Sequence, residues 1–335
     1  MIKVILRIGV FSIFFINYSF AQDGGQIQKN SESVSQSETE TATNNDATLK
    51  ETPKKDIVLS GVLNQIPQIA SSINPIYQIA KFISGDNKSN FLLISPKVSE
   101  HNYQFKVSNI NTLKKVGVFF YVGDGLENYF VKALASLEKQ PKIVQLSKSK
   151  YVKLIHFQSR ANENDTDYHI WLSPENAIAI AGEIAENLST IYPPSALIYK
   201  KNLQQFILDI KKMDQENKVK LSKVKSKSFV IDHDSLAYFE NYYNIKSAGV
   251  MRYYHRQDLT SKDIERINNL IKDNKISCIV GGAQERSNVV VQIASNNKAK
   301  LVLVDIMGDE NNGAQNGYTK MMSNLVDNLV KCTNK

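Results

Sequence analysis

The chain has 335 residues, 41 Lys and Arg against 33 Asp and Glu, a formal charge of +8 and two cysteines. Its lysines are dispersed, with one loose cluster from Lys218 to Lys227 and no basic stripe interleaved with aromatics, which argues against a nucleic-acid partner. No H-E-x-x-H, G-x-x-x-x-G-K-[ST], G-x-S-x-G or C-x-x-C signature occurs, so the common zinc protease, P-loop, serine hydrolase and redox motifs are missing.

Residues 1–21 have the pattern of an export signal. Lys3 and Arg7 give the positive start, Ile8 to Ile16 the apolar stretch, and Ser19-Phe20-Ala21 a small-residue cleavage site. The apolar run is short for a bilayer span and no Cys follows it, so a soluble exported monomer is expected. Loss of Lys3 and Arg7 with the leader lowers the charge from +8 to +6. In an oxidising compartment Cys278 and Cys332 are expected to pair, the alternative being two independent buried thiols. Residues 22–56 are rich in Ser, Thr, Asn, Gln and Glu and nearly devoid of large apolar side chains. Such a stretch buries too little surface to offset its ordering entropy and reads as a disordered spacer.

From Ile57 the pattern becomes α/β. Apolar runs of strand length at Phe91–Ile94, Val116–Val122 and Lys142–Leu146 alternate with helical stretches such as Asp124 to Lys139. Gly123-Asp-Gly125 reads as a turn into that helix. Ser173-Pro174-Glu175 starts a helix well: Ser caps, Pro fits the first helical position and Glu favours the positive end of the dipole. That helix is expected to run to about Leu188. After Pro193-Pro194 a second, long helical pattern extends from Ser195 to about Ser222, with Leu197, Leu203, Phe206, Ile207, Ile210 and Met213 on one side. Strands follow at Ser228–Ile231, Ile276–Gly281 and Lys300–Val304, and helices at Ser261–Asp273, Ser287–Ser295 and Asn316–Val330. The predicted organisation is two α/β lobes, each a mostly parallel sheet flanked by helices, over residues 57–194 and 225–335, with residues 195–224 as a rigid connecting helix.

Three histidines stand in distinctive settings: His101 in Ser-Glu-His-Asn-Tyr, His169 in Asp-Tyr-His-Ile-Trp-Leu-Ser-Pro and His233 in Ile-Asp-His-Asp-Ser-Leu-Ala-Tyr-Phe. Asp305 closes the apolar run Lys300-Leu-Val-Leu-Val. His233 and Asp305 follow strands directly, His101 lies shortly after one, and His169 precedes the capped helix. Loops at the carboxyl ends of parallel strands are where open α/β sheets bind ligands. Converged, these residues form the N/O set that zinc prefers. Asp167, Asp232 and Asp234 are placed to orient the rings from behind. His156 and His255 lack such settings and read as structural or exposed.

At these residues the chain resembles the periplasmic metal-binding receptors of ABC transporters, and most closely the ZnuA-like zinc receptors. The resemblance runs from about Gln68 to Cys332. Ser72-Ile-Asn-Pro-Ile-Tyr is similar to the family's first strand and turn. Val98-Ser-Glu-His-Asn-Tyr, Asp167-Tyr-His-Ile-Trp-Leu-Ser-Pro and Asp232-His-Asp-Ser-Leu-Ala-Tyr-Phe are similar to its three ligand segments. Leu113 to Glu127, with Val122-Gly and Leu126-Glu, is similar to the strand–helix after the first. Asp305-Ile-Met-Gly is similar to its Asp-Pro-Leu-Gly. The resemblance implies Zn2+ carried between two lobes by His101, His169 and His233, with Asp305, Glu100 or water as the fourth ligand and Asp305 ranked ahead. It also implies delivery to a membrane permease, no enzymatic activity, and a disulfide between Cys278 and Cys332. Relatives that take manganese carry Glu at the third position, so His233 favours zinc. Three features depart from the family: Arg160 to Thr166 stands without histidine where many zinc receptors have a His-rich loop, Gly281-Gly-Ala-Gln replaces a more acidic Glu-Pro-Gln-like segment, and Pro is missing after Asp305. Competing readings are a manganese or iron receptor on the same scaffold, a zinc-containing hydrolase and a surface adhesin.

Overall fold

The computed structural model describes residues 68–85, 88–157, 165–225, 227–253, 258–285, 287–311 and 316–334. The expected leader, the polar spacer, His255 and most of the loop from Arg160 to Thr166 lie outside the described residues.

The first sheet starts with β1 (Ile69–Ser71), a fully buried strand of three residues. It feeds α1 (Asn74–Ser84), where Pro75 occupies the first turn and Gly85, at φ 87°, ends the helix in the left-handed conformation open to glycine. Then come β2 (Asn90–Leu92), the short α2 (Val107–Leu113) and β3 (Val118–Tyr121), whose four residues are all buried. The helix expected over 124–139 is shorter, α3 (Tyr129–Ala135). The reason lies in the turn before it: the Glu127 carboxylate accepts the Gly123 amide at 3.0 Å and holds residues 123–127 as a closed loop. Glu127 is completely buried, and that burial pushes its carboxyl up to about 7. Gly125 is required by a close approach, since a Cβ there would fall 2.0 Å from the Tyr168 ring. β4 (Lys142–Gln145) completes the sheet in the order β2-β1-β3-β4, with every pair parallel.

Two short strands, β5 (Ile155–His156) and β6 (Thr166–Asp167), pair antiparallel and were not foreseen; two-residue strands leave no periodicity to read. His156 lies exposed on the first of them. The helix starting at Ser173 is α4 (Pro174–Ile191), capped by the Ser173 hydroxyl accepting from the Asn176 amide at 3.4 Å. The long helix is α5 (Ala196–Leu221), 26 residues that pack on α4 and α1. Only one stripe of it is buried, including Tyr199, Phe206, Ile210, Met213 and Leu221.

The second sheet contains β7 (Phe229–His233), β8 (Gly249–Arg252), β9 (Cys278–Gly282) and β10 (Lys300–Val304) in the order β10-β9-β7-β8, again all parallel. The helices between and after them are α6 (Ala237–Tyr243), α7 (Ser261–Asp273), α8 (Asn288–Asn296) and α9 (Gly317–Thr333), and α9 also packs on α5. α7 begins with a reciprocal cap between Thr260 and Asp263. Two lobes of parallel sheet flanked by helices and joined by a long helix are thus observed as predicted.

One hydrophobic cluster crosses both lobes, bringing Trp171 together with Phe206, Phe239, Met307 and Tyr318. A smaller cluster, with Val230, Ile267, Ile279 and Ile293, lies under α7 and α8. Each large apolar side chain buried here contributes roughly 1.5–3 kcal/mol relative to exposure. Cys278 and Cys332 form a disulfide with Cα atoms 5.5 Å apart across 54 residues of sequence, tying α9 to β9. Chain-entropy reasoning puts its contribution at about 4 kcal/mol as an upper figure. No helix among the described residues is long and apolar enough to cross a membrane.

Candidate metal centre

The three histidines arrive on three separate elements. His101 sits in a single helical turn, Glu100–Asn102, initiated by Ser99, whose hydroxyl accepts the His101 amide at 3.3 Å. His169 immediately precedes another such turn, Ile170–Leu172, which runs into α4. His233 is the last residue of β7. Their rings meet, with all three centroid pairs 5.4 Å apart and one ligating atom from each within 4.8 Å of the others. His169 and His233 are buried, whereas the His101 side chain keeps 22% exposure and marks the solvent side of the group.

The spacing fits a tetrahedral ion. Zinc–nitrogen bonds of about 2.0–2.1 Å set tetrahedral ligands about 3.3–3.4 Å apart. His101 Nε2 and His169 Nε2 lie 3.3 Å apart. Glu100 Oε1 lies 3.5 Å from the first and 3.6 Å from the second, so these three atoms outline one face of such a polyhedron. Glu100 is 2% exposed and its Oε1 makes no hydrogen bond, an arrangement a cation would satisfy. Burial alone would raise the Glu100 carboxyl, but the adjacent His101 and His169 hold it down at about 2.

Asp305 is engaged elsewhere. Its Oδ1 accepts the Met307 amide at 3.0 Å, the Gly308 amide at 2.8 Å and the Gln284 side-chain amide at 2.7 Å, and its Oδ2 accepts the Glu310 amide at 3.2 Å. The carboxylate folds the loop that follows β10.

Behind the rings, Asp167 Oδ1 accepts from both the backbone amide and Nδ1 of His169, at 2.9 and 2.7 Å. This fixes the ring with Nε2 toward the centre. Burial alone would depress the His169 ring, but Asp167 and Glu100 reverse this and raise it to about 10. Asp232 holds Arg252 in a two-pronged pair at 2.9 and 2.7 Å. Asp234 is buried, and its backbone amide donates to the Arg252 carbonyl at 3.3 Å. Glu285 also faces His233, with Oε2 3.6 Å from Nδ1. Sequence reasoning missed it: Glu285 lies 52 residues from His233 along the chain, and only the adjacency of β7 and β9 brings the two together. Its side chain packs over Gly282, where a Cβ would stand 3.7 Å from that of Glu285.

With this geometry in view, comparison with known proteins is decisive at the level of family. Residues 69–332 match the sequence model of the family ZnuA, described as "Zinc-uptake complex component A periplasmic". The chain belongs to this family. The high-affinity zinc uptake system protein ZnuA of Brucella suis is 24% identical over 306 residues, covering 80% of this chain and 92% of that protein. Among solved structures, a crystal structure of ZnuA superposes with a TM-score of 0.71 at 20% identity, covering 79% of this chain and 98% of the other. A mutant of the laminin-binding adhesin Lmb from Streptococcus agalactiae also gives 0.71 at 20% identity, covering 80% and 100%. At such identities the structural likeness establishes the fold.

Proposed function

We propose that this protein is a periplasmic receptor that captures a zinc ion between its lobes and delivers it to the permease of an ABC-type importer. The observation that carries the reading is that His101, His169 and Glu100 set their ligating atoms at tetrahedral spacing and that the His233 ring converges on the same point, within 4.8 Å. The ligand set is His101, His169, His233 and Glu100, with Asp305 reserved for the loop it folds. Neutral imidazole discriminates for zinc over manganese, so the manganese or iron reading is the weaker one. A closed set of four protein ligands leaves no position for a reacting water, which argues for carriage rather than hydrolysis.

In this reading residues 1–21 direct export and are removed, residues 22–56 are a polar spacer, and the lobes of residues 57–194 and 225–335 are joined by the helix within 195–224. The ion sheds water as it enters past His101, the most exposed ligand. His169 surrenders its proton to the solvent as it binds, because a ligating imidazole must be neutral. The apolar cluster shared by both lobes resists a wide hinge, so release proceeds through a local movement of ligand segments.

The test is metal content and zinc competition titration of the exported protein beside a His101→Ala/His169→Ala/His233→Ala variant. One tightly held zinc, lost in the variant, is expected. Absence of tight zinc in the unmodified protein, or equal binding by the variant, overturns the reading.

A further inference from the structure

We propose that Gln284 is a positioning residue that sets how long zinc stays bound, by tying the segment carrying Glu100 and His101 to the second lobe. This rests on the receptor reading above and adds a residue that does not touch the metal.

The side-chain amide of Gln284 carries two hydrogens on one nitrogen, and both are used. Nε2 donates to Asp305 Oδ1 at 2.7 Å and to the Pro96 carbonyl at 3.1 Å. Pro96 lies in the first lobe, four residues before Glu100, and its ring fixes φ at that point. From there the chain is short and internally tied: the Val98 amide donates to the Ser95 carbonyl at 3.0 Å and the His101 amide to the Ser99 hydroxyl at 3.3 Å. A restraint on Pro96 is therefore a restraint on the ligand pair that follows.

The other end of this tie is anchored. The loop folded by the Asp305 carboxylate presents its carbonyls to the first lobe. Ile306 O accepts from the Trp171 indole at 2.9 Å, and Met307 O and Gly308 O accept from the Asn74 amide at 2.9 and 3.0 Å. Gly308 reaches this geometry at φ 71°, and a Cβ there would approach Asn74 to 3.2 Å and Met321 to 3.3 Å. The loop is thus held to the buried body of the first lobe, while Gln284, which follows β9, links its Asp305 carboxylate to the solvent-side ligand segment. Gln284 also lines the same small cavity as Glu100, His233 and Glu285. His101 is the ligand most open to solvent, so its departure begins release, and Gln284 opposes that departure.

The experiment replaces Gln284 by Met, which keeps length and loses both donors. Zinc dissociation is followed by stopped-flow capture with a chelator, and backbone hydrogen exchange is mapped on the zinc-loaded protein. Dissociation about tenfold faster with association unchanged is expected, the scale typical of outer-shell partners. Faster exchange should be confined to residues 97–102, with residues 305–310 still protected. Unchanged dissociation, or exchange that rises chiefly in 305–310 with a lowered melting temperature, overturns the proposal and leaves Gln284 as a structural residue. If the unmodified protein binds no zinc, the receptor reading fails first and this inference with it.

Discussion

Glu100 and Asp305 are both buried carboxylates, one from each lobe, and their surroundings are opposite. Asp305 accepts four hydrogen bonds, three from backbone amides within the next five residues, and is consumed in shaping a loop. Glu100 keeps Oε1 without a hydrogen bond and sets it against two imidazole nitrogens. The difference teaches that burial alone does not give a carboxylate a reason to bind a cation. A buried anion is stabilised by whatever donors reach it first, and only one left short of donors has a reason to hold a cation.

The comparison is broken most severely at the shared histidines. His169→Ala is expected to weaken zinc binding by about a thousandfold or more, since on the proposed ligand set it removes a direct ligand and leaves the buried Asp167 without its ring partner; competition with a chromophoric chelator measures this.

Next in size is the carboxylate pair itself. Glu100→Gln should weaken zinc by about 10–100-fold and change the visible absorption of the cobalt-substituted protein. Asp305→Asn should leave that spectrum unchanged and instead lower stability by roughly 1–3 kcal/mol through the amides it abandons, read by urea unfolding of the zinc-free protein. A cobalt spectrum altered by Asp305→Asn and not by Glu100→Gln would reverse the assignment.

The orienting carboxylates come third. Asp167→Asn and Glu285→Gln are each expected to cost roughly 10-fold in zinc affinity, the lower end of what such partners contribute, with Asp167 the larger because its contact to the ring is 2.7 Å against 3.6 Å.

A dependence on pH comes last, its effect over a single pH unit being no larger than that of an orienting carboxylate. The His169 ring is raised to about 10 in the metal-free protein, above its ordinary 6.5. Between those values zinc must displace one proton from it, so affinity should climb about tenfold per pH unit, and calorimetry in buffers of different ionisation enthalpy should register that proton. Stability of the metal-free protein runs the other way. The protonated ring between Asp167 and Glu100 stabilises it fully below pH 6.5, and this is lost as pH rises toward 10. A melting temperature of the metal-free protein that rises from pH 7 to 10 would contradict the ion-paired His169.

Much of the fold was legible because long parallel strands and long helices write their burial into the sequence. Lys300–Val304 and Ser261–Asp273 were read to the residue, and the connecting helix to within one residue at each end. What escaped was α1, the shorter α2, α6 and β8, the two-residue β5 and β6, and the closed turn of residues 123–127 that delays α3. The same division holds in the site. The three histidines stood out by their positions beside strand and helix ends. Glu285 carried no local signal, because what makes it matter is the neighbouring strand.

The sequence by itself determined two α/β lobes, a long helix between them and three imidazoles able to meet, since periodicity, capping residues and strand-end placement are local properties of the chain. Only the tertiary structure decided which carboxylate faces those imidazoles. That choice depends on the turn that folds the amides of Met307, Gly308 and Glu310 onto Asp305 and on the packing that sets Glu100 against His169, 69 residues along the chain, and neither the turn nor that packing follows from local periodicity.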